Sequence, residues 1–289
     1  MKKIISTSVA IVLIGGFAFS AYVAETKNFE NNKSYNAENI ETLKVYNDSW
    51  DVRFKKSNSK GVTVSAEGKQ KGKDPVTFKK VGEALVIKQK EQKNSGFFGG
   101  FTFGKKGTIY INVPKSGINN IELTNKDGDI QMSEISTNSV VVQNNSGDGK
   151  IKGVSANTGK FVSRDGMLRV EDSSFKKLNI TSTSGDNYMK GVNSSKAKVT
   201  SADGEVSING IKEGKSLVVD TESGDIGVSY NKAPTSLAVT AKSNSSDITL
   251  NLDGLKKNKD TEELKKGKIG QGNNKLSLSS NDGVINVTN

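Results

Sequence analysis

In the second half of the chain, apolar residues recur in pairs separated by one polar residue, on either side of a short polar turn. Most of these turns contain Gly and Asp, and their glycines stand at positions 128, 147, 166, 185, 204 and 224, at intervals of 19, 19, 19, 19 and 20 residues. A degenerate copy follows at Ser245-Ser246-Asp247 and a last one at Asn281-Asp282-Gly283. A fixed period of this length is typical of a repeat architecture.

The apolar pairs keep a constant distance from the turn glycine. They stand seven and five residues before it and two and four residues after it, and in some units a third apolar residue stands seven after it. Because alternate residues of a strand share a face, each unit is predicted to be strand, turn, strand, with the apolar pairs facing inward. Examples are Ile121 and Leu123 before the turn, Ile130, Met132, Ile208 and Ile226 after it, and Ile135, Val154, Val192 and Ile211 as third residues.

Two architectures fit such units. One is a ladder of antiparallel hairpins, and the other is a parallel β-helix in which each repeat makes one coil. A coil of constant perimeter requires a constant repeat length, whereas hairpin loops tolerate variation. The strict period therefore favours an all-β fold, a single-chain β-solenoid (parallel β-helix-like) of about 19-residue coils.

The solenoid is predicted to span residues 38–289. Residues 38–115 are less regular and are interpreted as opening coils or a cap, which protects an otherwise open edge. Residues 116–289 form the regular repeats, with an insertion near 252–272 in which residues 255–266 are expected to form a solvated loop or a short helix. Residues 94–106, which contain four phenylalanines, interrupt two strands of the cap.

The first 24 residues have the pattern of a membrane-spanning helix. Lys2 and Lys3 precede an uncharged run from Ile4 to Ala24, long enough to cross a bilayer core of roughly 30 Å. Residues 1–24 are therefore predicted to be a single-pass anchor in the cell membrane and 25–37 a linker, with the solenoid outside. Cleavage at Ala18-Phe19-Ser20, which would release a secreted protein, is the alternative.

The composition limits the possible chemistry. The chain has no cysteine and no histidine, so thiolate chemistry, a Ser-His-Asp triad and a typical zinc or haem site are not expected. The turn aspartates are expected to form a ladder along one corner, which could hold calcium or serve a carbohydrate-active lyase or hydrolase on a β-helix. Since identical aspartates recur, we interpret them as turn formers and expect no catalytic residue, metal or cofactor. They are Asp127, Asp129, Asp148, Asp165, Asp186, Asp203 and Asp225.

The net charge is +11, and much of it lies early in the chain. Residues 53–93 hold Arg53 and eleven lysines against four acidic residues. Expected partners are the membrane, through the N-terminal helix, and anionic wall polymer, lipid or an envelope protein, but not nucleic acid. The residues predicted to make surface or membrane contact are Lys69, Lys71, Lys73, Lys79, Lys80, Phe97, Phe98, Phe101 and Phe103.

Several segments resemble a known family. They are Leu43-Lys44-Val45-Tyr46-Asn47, Ile109-Tyr110-Ile111-Asn112-Val113-Pro114 and the repeated Ser-Gly-Asp turns. Over residues 38–289 the chain resembles the "putative adhesin" family of β-strand-repeat envelope proteins, which includes a membrane-anchored member encoded with the Lia envelope-stress regulators. The resemblance implies an envelope protein of unknown biochemical role, and no catalytic residue is carried over from it. We expect a non-catalytic extracytoplasmic protein in surface attachment or the envelope-stress response. Trp50 departs from the pattern, because the family usually has a Gly-Asp turn at this point.

Overall fold

A computed structural model describes residues 27–70, 74–91, 107–244 and 247–289. Within these ranges the chain forms 25 strands and one 3-10 turn at Ala37–Asn39, which confirms the predicted all-β class. In this part of the chain no helix is long and apolar enough to cross a membrane. The predicted anchor, residues 1–24, lies outside the described residues.

Sheet A contains twelve strands, in the spatial order β1, β4, β7, β3, β9, β11, β13, β15, β17, β19, β25, β21. Its strands are β1 (Lys27–Asn36), β3 (Asp51–Ser57), β4 (Gly61–Gln70), β7 (Gly107–Pro114), β9 (Ile130–Ser133), β11 (Gly149–Lys152), β13 (Leu168–Glu171), β15 (Asn187–Lys190), β17 (Val206–Ile211), β19 (Ile226–Tyr230), β21 (Ile248–Asn251) and β25 (Ile285–Thr288).

Sheet B contains thirteen strands, in the order β22, β23, β20, β24, β18, β16, β14, β12, β10, β8, β2, β6, β5. Its strands are β2 (Thr42–Asn47), β5 (Val76–Val81), β6 (Ala84–Gln89), β8 (Ile118–Asn125), β10 (Ser136–Asn144), β12 (Ser155–Ser163), β14 (Ser174–Ser182), β16 (Asn193–Ser201), β18 (Ser216–Thr221), β20 (Leu237–Ser243), β22 (Lys256–Asp260), β23 (Leu264–Ile269) and β24 (Asn274–Ser280).

Each regular repeat makes one coil, with a strand in sheet B, a glycine turn and a strand in sheet A. Strand β10 pairs in parallel with β12, and Ser136 lies opposite Ser155, 19 residues later. A shift of one period in the sequence therefore leads to the equivalent residue on the next strand of the sheet. This supports the parallel coil over the hairpin ladder. The inward positions are buried as predicted; Met132 and Ile208, for example, have no exposed surface.

The turn glycines stack directly on one another. A Cβ atom at Gly147 would lie 2.0 Å from the carbonyl oxygen of Gly128, and one at Gly166 would lie 2.0 Å from that of Gly147. The same contact recurs at later turns, at 2.1 Å for Gly185 and 2.2 Å for Gly224. No real Cβ atom tolerates such a distance to backbone, so adjacent coils approach this closely only because the turn residue has no side chain.

A second column of polar residues runs inside the core, three positions before each turn glycine. Asn125 donates a hydrogen bond from its amide to the carbonyl of Gly128 and another to Oδ1 of Asn144, at 2.6 Å. In later coils a hydroxyl takes this place, as in Ser163 to the Gly166 carbonyl at 2.8 Å and Thr221 to that of Gly224 at 2.7 Å. The column satisfies turn carbonyls that are buried from water.

The last strands of the chain do not lie at the end of the stack. Strand β24 pairs with β18 on one side and β20 on the other, and β25 lies between β19 and β21. The final coil therefore fills a gap between the two coils that precede it in sequence. The opening end has the same arrangement, because β2 lies between β6 and β8 and β3 lies between β7 and β9.

Trp50 occupies the turn position in the coil formed by β2 and β3. A Cβ atom at Gly128 would lie 1.8 Å from the Trp50 carbonyl oxygen, so this turn stacks as the glycine turns do. The Trp50 ring is fully buried and packs edge-on against Phe29 at 6.2 Å between centroids. Trp50 therefore packs under the cap, and Oε1 of Gln89 accepts hydrogen bonds from the N–H groups of residues 48, 49 and 50.

Antiparallel strands lie at both ends of sheet B and at the opening end of sheet A, and two of these segments correct expectations. Residues 255–266, expected to be a loop or short helix, contribute β22 and the first half of β23, which form an antiparallel hairpin that extends sheet B from β20. The linker expected at 25–37 contains β1, which pairs along its whole length with β4. Both segments are polar, so neither shows the apolar alternation on which the strand predictions depended.

The glycine stack leads to a stability prediction. Gly147→Ala should lower the free energy of unfolding by about 3 kcal/mol, because the new Cβ atom must push two coils apart. Gly227→Ala is the matched control: nothing lies within 4 Å of its Cβ position, and it should be close to neutral. Urea unfolding followed by circular dichroism measures both, and equal effects would contradict the packing argument.

The polar column leads to a second prediction. Asn144→Ala leaves the buried carbonyl of Gly147 without its donor, and we expect a loss of about 1–3 kcal/mol. Asn144→Ser supplies the hydroxyl that Ser163 uses one coil later, and it should recover part of that loss. If the serine variant were no more stable than the alanine variant in thermal unfolding, the column would not act through these hydrogen bonds.

Candidate functional site

The structure describes three of the nine residues predicted to make surface or membrane contact, and these three lie on two sheets. Lys69 is exposed on β4 in sheet A, whereas Lys79 and Lys80 are exposed on β5 in sheet B. All three lie at the opening end of the solenoid. The remaining members of the set, Lys71, Lys73, Phe97, Phe98, Phe101 and Phe103, lie outside the described residues.

The turn aspartates form two columns and not the single ladder expected from the sequence. Asp127, Asp165 and Asp203 precede the stacked glycines, and the others follow them. Those that follow accept backbone hydrogen bonds from the next coil, as Asp148 does from the N–H of Met167 at 3.0 Å and Asp186 from that of Glu205 at 3.0 Å. The second column therefore helps to join successive coils.

One groove brings two of these aspartates together with Asp51, which follows the Trp50 turn. Asp51, Asp129 and Asp148 line it with Arg53, Gln131 and Lys150. Oδ1 of Asp51 accepts from the N–H of Asp129 at 3.3 Å, Oδ1 of Asp129 accepts from that of Asp148 at 3.2 Å, and Arg53 lies 3.6 Å from Asp51. In the described part of the chain, no group of three or more Asp, Glu, His or Cys residues is placed to hold a metal ion.

A different charged surface lies on the outer face of sheet B, between β12 and β22. We call it the lysine face and define it by exposed lysines at outward positions of these eight strands. They are Lys160, Lys177, Lys196, Lys198, Lys242, Lys256, Lys259, Lys266, Lys268 and Lys275.

The lysines follow rows that run across the strands. Lys177 lies opposite Lys196, and the same row passes through Ser216 to Lys275 and then through Ala238 to Lys268 and Lys256. Seven strand spacings of about 4.8 Å make the face about 34 Å long, and adjacent rows lie about 7 Å apart. The lysine face is therefore a long and narrow strip.

Acidic residues are scarce on this strip. Among its outward positions in the described residues the one acid is Asp220, whose carboxylate lies 3.9 Å from Lys198. Asp260 pairs with Lys257 at 2.9 Å and Lys265 at 3.3 Å, but these two lysines occupy the alternate positions of the hairpin. Ten lysines against one aspartate give the strip a strong positive field.

The two faces of the same coils differ in charge. In sheet A, strands β13, β15, β17, β19, β25 and β21 carry only Arg169, Lys190 and Glu171 as charged outward residues. Their other outward positions are Tyr188 and small or amide residues. The basic bias of this half of the molecule is thus confined to one sheet, which a repeat period alone does not require.

Lysine spacing gave a partial signal that the sequence analysis missed. Lys177, Lys196 and Lys275 stand eight residues before their turn glycines, and Lys160 and Lys198 stand six before theirs. No single lysine of the face stands out in the sequence, and residues 53–93 contain lysines at a higher density. The strip also depends on the position of β24 and of the β22–β23 hairpin, neither of which follows from the order of the repeats.

Glu213 links two segments at one border of the lysine face. Its carboxylate accepts hydrogen bonds from the N–H of Thr235 at 2.8 Å, the N–H of Ser236 at 3.1 Å and the amide of Asn274 at 2.9 Å. Burial acts to raise the pKa of Glu213, but these hydrogen bonds outweigh it and the net pKa is lowered. One carboxylate thus joins the loop before β20 to the start of β24.

The shape of the stack and this strip define a class of protein, an all-β solenoid with long repetitive faces. The chain belongs to the Toastrack DUF4097 family, whose model matches residues 40–288. A search of curated proteins gave no match.

Two solved structures are similar to this chain. A "putative adhesin" from Bacteroides fragilis is 13% identical, with a TM-score of 0.52 over 90% of this chain and 97% of that one. Another from Parabacteroides distasonis is 14% identical, with a TM-score of 0.45 over 91% of this chain and 98% of the other.

The Glu213 contacts lead to a prediction about pH. A carboxylate with a lowered pKa stabilises the fold above its ordinary value of about 4.3 and loses that contribution as pH falls through the folded-state pKa. Glu213→Gln should therefore lower the melting temperature at pH 7, and the difference from wild type should shrink in acid. Melting curves at several pH values test this, with Glu222→Gln, an exposed control. A difference that does not depend on pH would contradict it.

Proposed function

We propose that this chain is a non-catalytic, adhesin-like module of the bacterial envelope, held outside the membrane by residues 1–24. Its task would be attachment to an extended envelope component. The narrower link to envelope stress has its support only in the resemblance to a member encoded with the Lia regulators.

The observation that carries this proposal is the repetition of surface positions from coil to coil. Each step of about 4.8 Å presents the next residue of the same column, so the solenoid offers long faces to a partner. The void lined by Met189, Ala197, Ile208 and Tyr230, among others, has a volume of only about 20 Å³. A larger hollow of about 770 Å³, beside Phe29 and Lys69, is a shallow depression open to solvent. Such a shape suits an extended partner better than a small substrate.

The alternative of a carbohydrate-active enzyme has less support. A glycosidase needs two carboxyl groups with different roles, one acid and one base or nucleophile. Asp51, Asp129 and Asp148 instead repeat the same contact in successive coils, with Oδ1 accepting a backbone N–H from the next one. Their arrangement is explained by coil stacking without a catalytic role.

The opening end of the solenoid suits a position close to the membrane. Strand β1 starts at Lys27, just after the proposed anchor, and Asn28 lies opposite the exposed Lys69. Lys79 and Lys80 are exposed on the other sheet at the same end. If residues 1–24 span the bilayer, these lysines would lie near anionic headgroups, and Lys71, Lys73 and the four phenylalanines of residues 97–103 belong to the same proposed contact region.

Protease accessibility tests the proposed topology. We expect protease added to intact protoplasts to remove a C-terminal tag from the membrane-bound protein, while a cytoplasmic marker stays whole. Lysed cells should lose both. A tag protected in intact protoplasts would refute an extracytoplasmic domain, and a mature N-terminus at Ala21 would replace the anchor with a cleaved signal.

A further inference from the structure

We propose that the lysine face binds a single linear polyanion of the phosphodiester class, lying along the strip and across the strands. The inference deepens the proposed function, on which its biological setting rests, because it names the ligand chemistry of one face. It concerns a surface separate from the basic segment at the opening end.

The shape of the strip favours a chain over a bilayer. A strip of about 34 Å with rows about 7 Å apart is as narrow as a single extended polymer. A bilayer would contact a broad surface and would gain from exposed apolar anchors. The large apolar residues that are most exposed in the described chain, Tyr46, Val81 and Val284, are not on this strip.

The chemistry of the strip favours phosphate over carboxylate. All ten basic residues are lysines, and none is an arginine. Arginine suits planar, bidentate recognition of a carboxylate, whereas the ammonium group of lysine acts as a point charge that accepts many geometries. Repeated point charges suit a flexible polymer that carries one charge per unit. The neighbouring outward residues, such as Thr200 and Ser277, offer hydroxyls for further hydrogen bonds.

The strip is also unfavourable for the isolated fold. Lys177 lies directly opposite Lys196, Lys256 opposite Lys268, and Lys259 opposite Lys266. Like charges directly opposite each other in a sheet are destabilising. Such pairs are not needed for solubility, because Gln or an alternating Glu would serve at an exposed position. A bound polyanion would lie between the paired ammonium groups and remove the repulsion.

The test uses the full-length chain in neutral detergent and immobilised poly(glycerol phosphate). Lys177, Lys196, Lys268 and Lys275 are changed together to Gln. The control changes Lys55, Lys150, Lys152 and Lys190, which are exposed on sheet A, so both variants lose the same net charge. We expect the first variant to bind about tenfold more weakly, because four weak exposed contacts act together, and the control to stay close to wild type.

Salt and competing polymers sharpen the result. Binding should weaken steeply as ionic strength rises, since exposed contacts are screened within about 8 Å at physiological salt. Soluble poly(glycerol phosphate) should compete better than a polyuronate of equal length. Equal losses in the two quadruple variants, stronger competition by the polyuronate, or binding that depends on the four lysines only with anionic vesicles would each overturn the proposal.

A single substitution distinguishes an effect on folding from an effect on the binding surface. Lys196→Glu should raise the melting temperature at low salt, because it replaces repulsion from Lys177 with attraction, and it should weaken polymer binding. A variant that binds weakly only because it is misfolded would show the opposite change in melting temperature. If the polymer binds as expected but the tag is protected in protoplasts, the proposed function fails and this inference stands. If the tag is exposed but the polymer does not bind, this inference fails and the proposed function stands.

Discussion

The close approach of successive turns is the constraint on which the rest of the structure depends. Each turn glycine leaves about 2 Å between a would-be Cβ atom and the carbonyl of the preceding turn. Any side chain there would open the coils on one side and break the parallel hydrogen bonds of both sheets. The carbonyls held so closely are cut off from water, which explains why a donor such as Asn125 or Thr221 stands three residues earlier. The glycine and its donor work as one unit.

The same unit allows the chain to stack its coils out of order. A Cβ atom at Gly283 would lie 2.1 Å from the carbonyl oxygen of Gly224, as one at Gly204 would lie 2.3 Å from that of Gly185, although 59 residues separate the first pair. Most coils present a turn glycine, a buried polar residue three positions before it and the same inward apolar pairs. A late coil can therefore occupy an internal position without loss of packing, and the antiparallel strands β5 and β22–β23 can then close the open edge of sheet B at each end.

This interchangeability explains how far the sequence could predict the structure. The period of 19 and the inward pairs such as Val206 and Ile208 predicted coils, strands and core, because each depends on residues close in sequence. The order of the coils depends on contacts between distant segments that share one pattern, so β24 could not be placed. The hairpin at residues 256–269 was missed for a different reason. Its strands are almost wholly polar at the edge of the sheet, and no apolar alternation marks them.

The candidate site was harder to predict than the fold because it exists only in the stacked order. Lys196 and Lys275 are 79 residues apart in the chain, yet they lie two strands apart because β24 packs against β18. Had the last coil followed β20 at the end of the stack, β18 and β20 would be neighbours and Lys275 would lie farther from Lys196. The insertion of the final coil thus concentrates charge in the middle of sheet B. It raises the electrostatic repulsion that the fold must tolerate, and it lengthens the unbroken positive strip from β12 to the β22–β23 hairpin. The packing of a coil does not depend on its place in the order, so it permits this arrangement. The rows of lysines then define the direction along which an extended anion can lie.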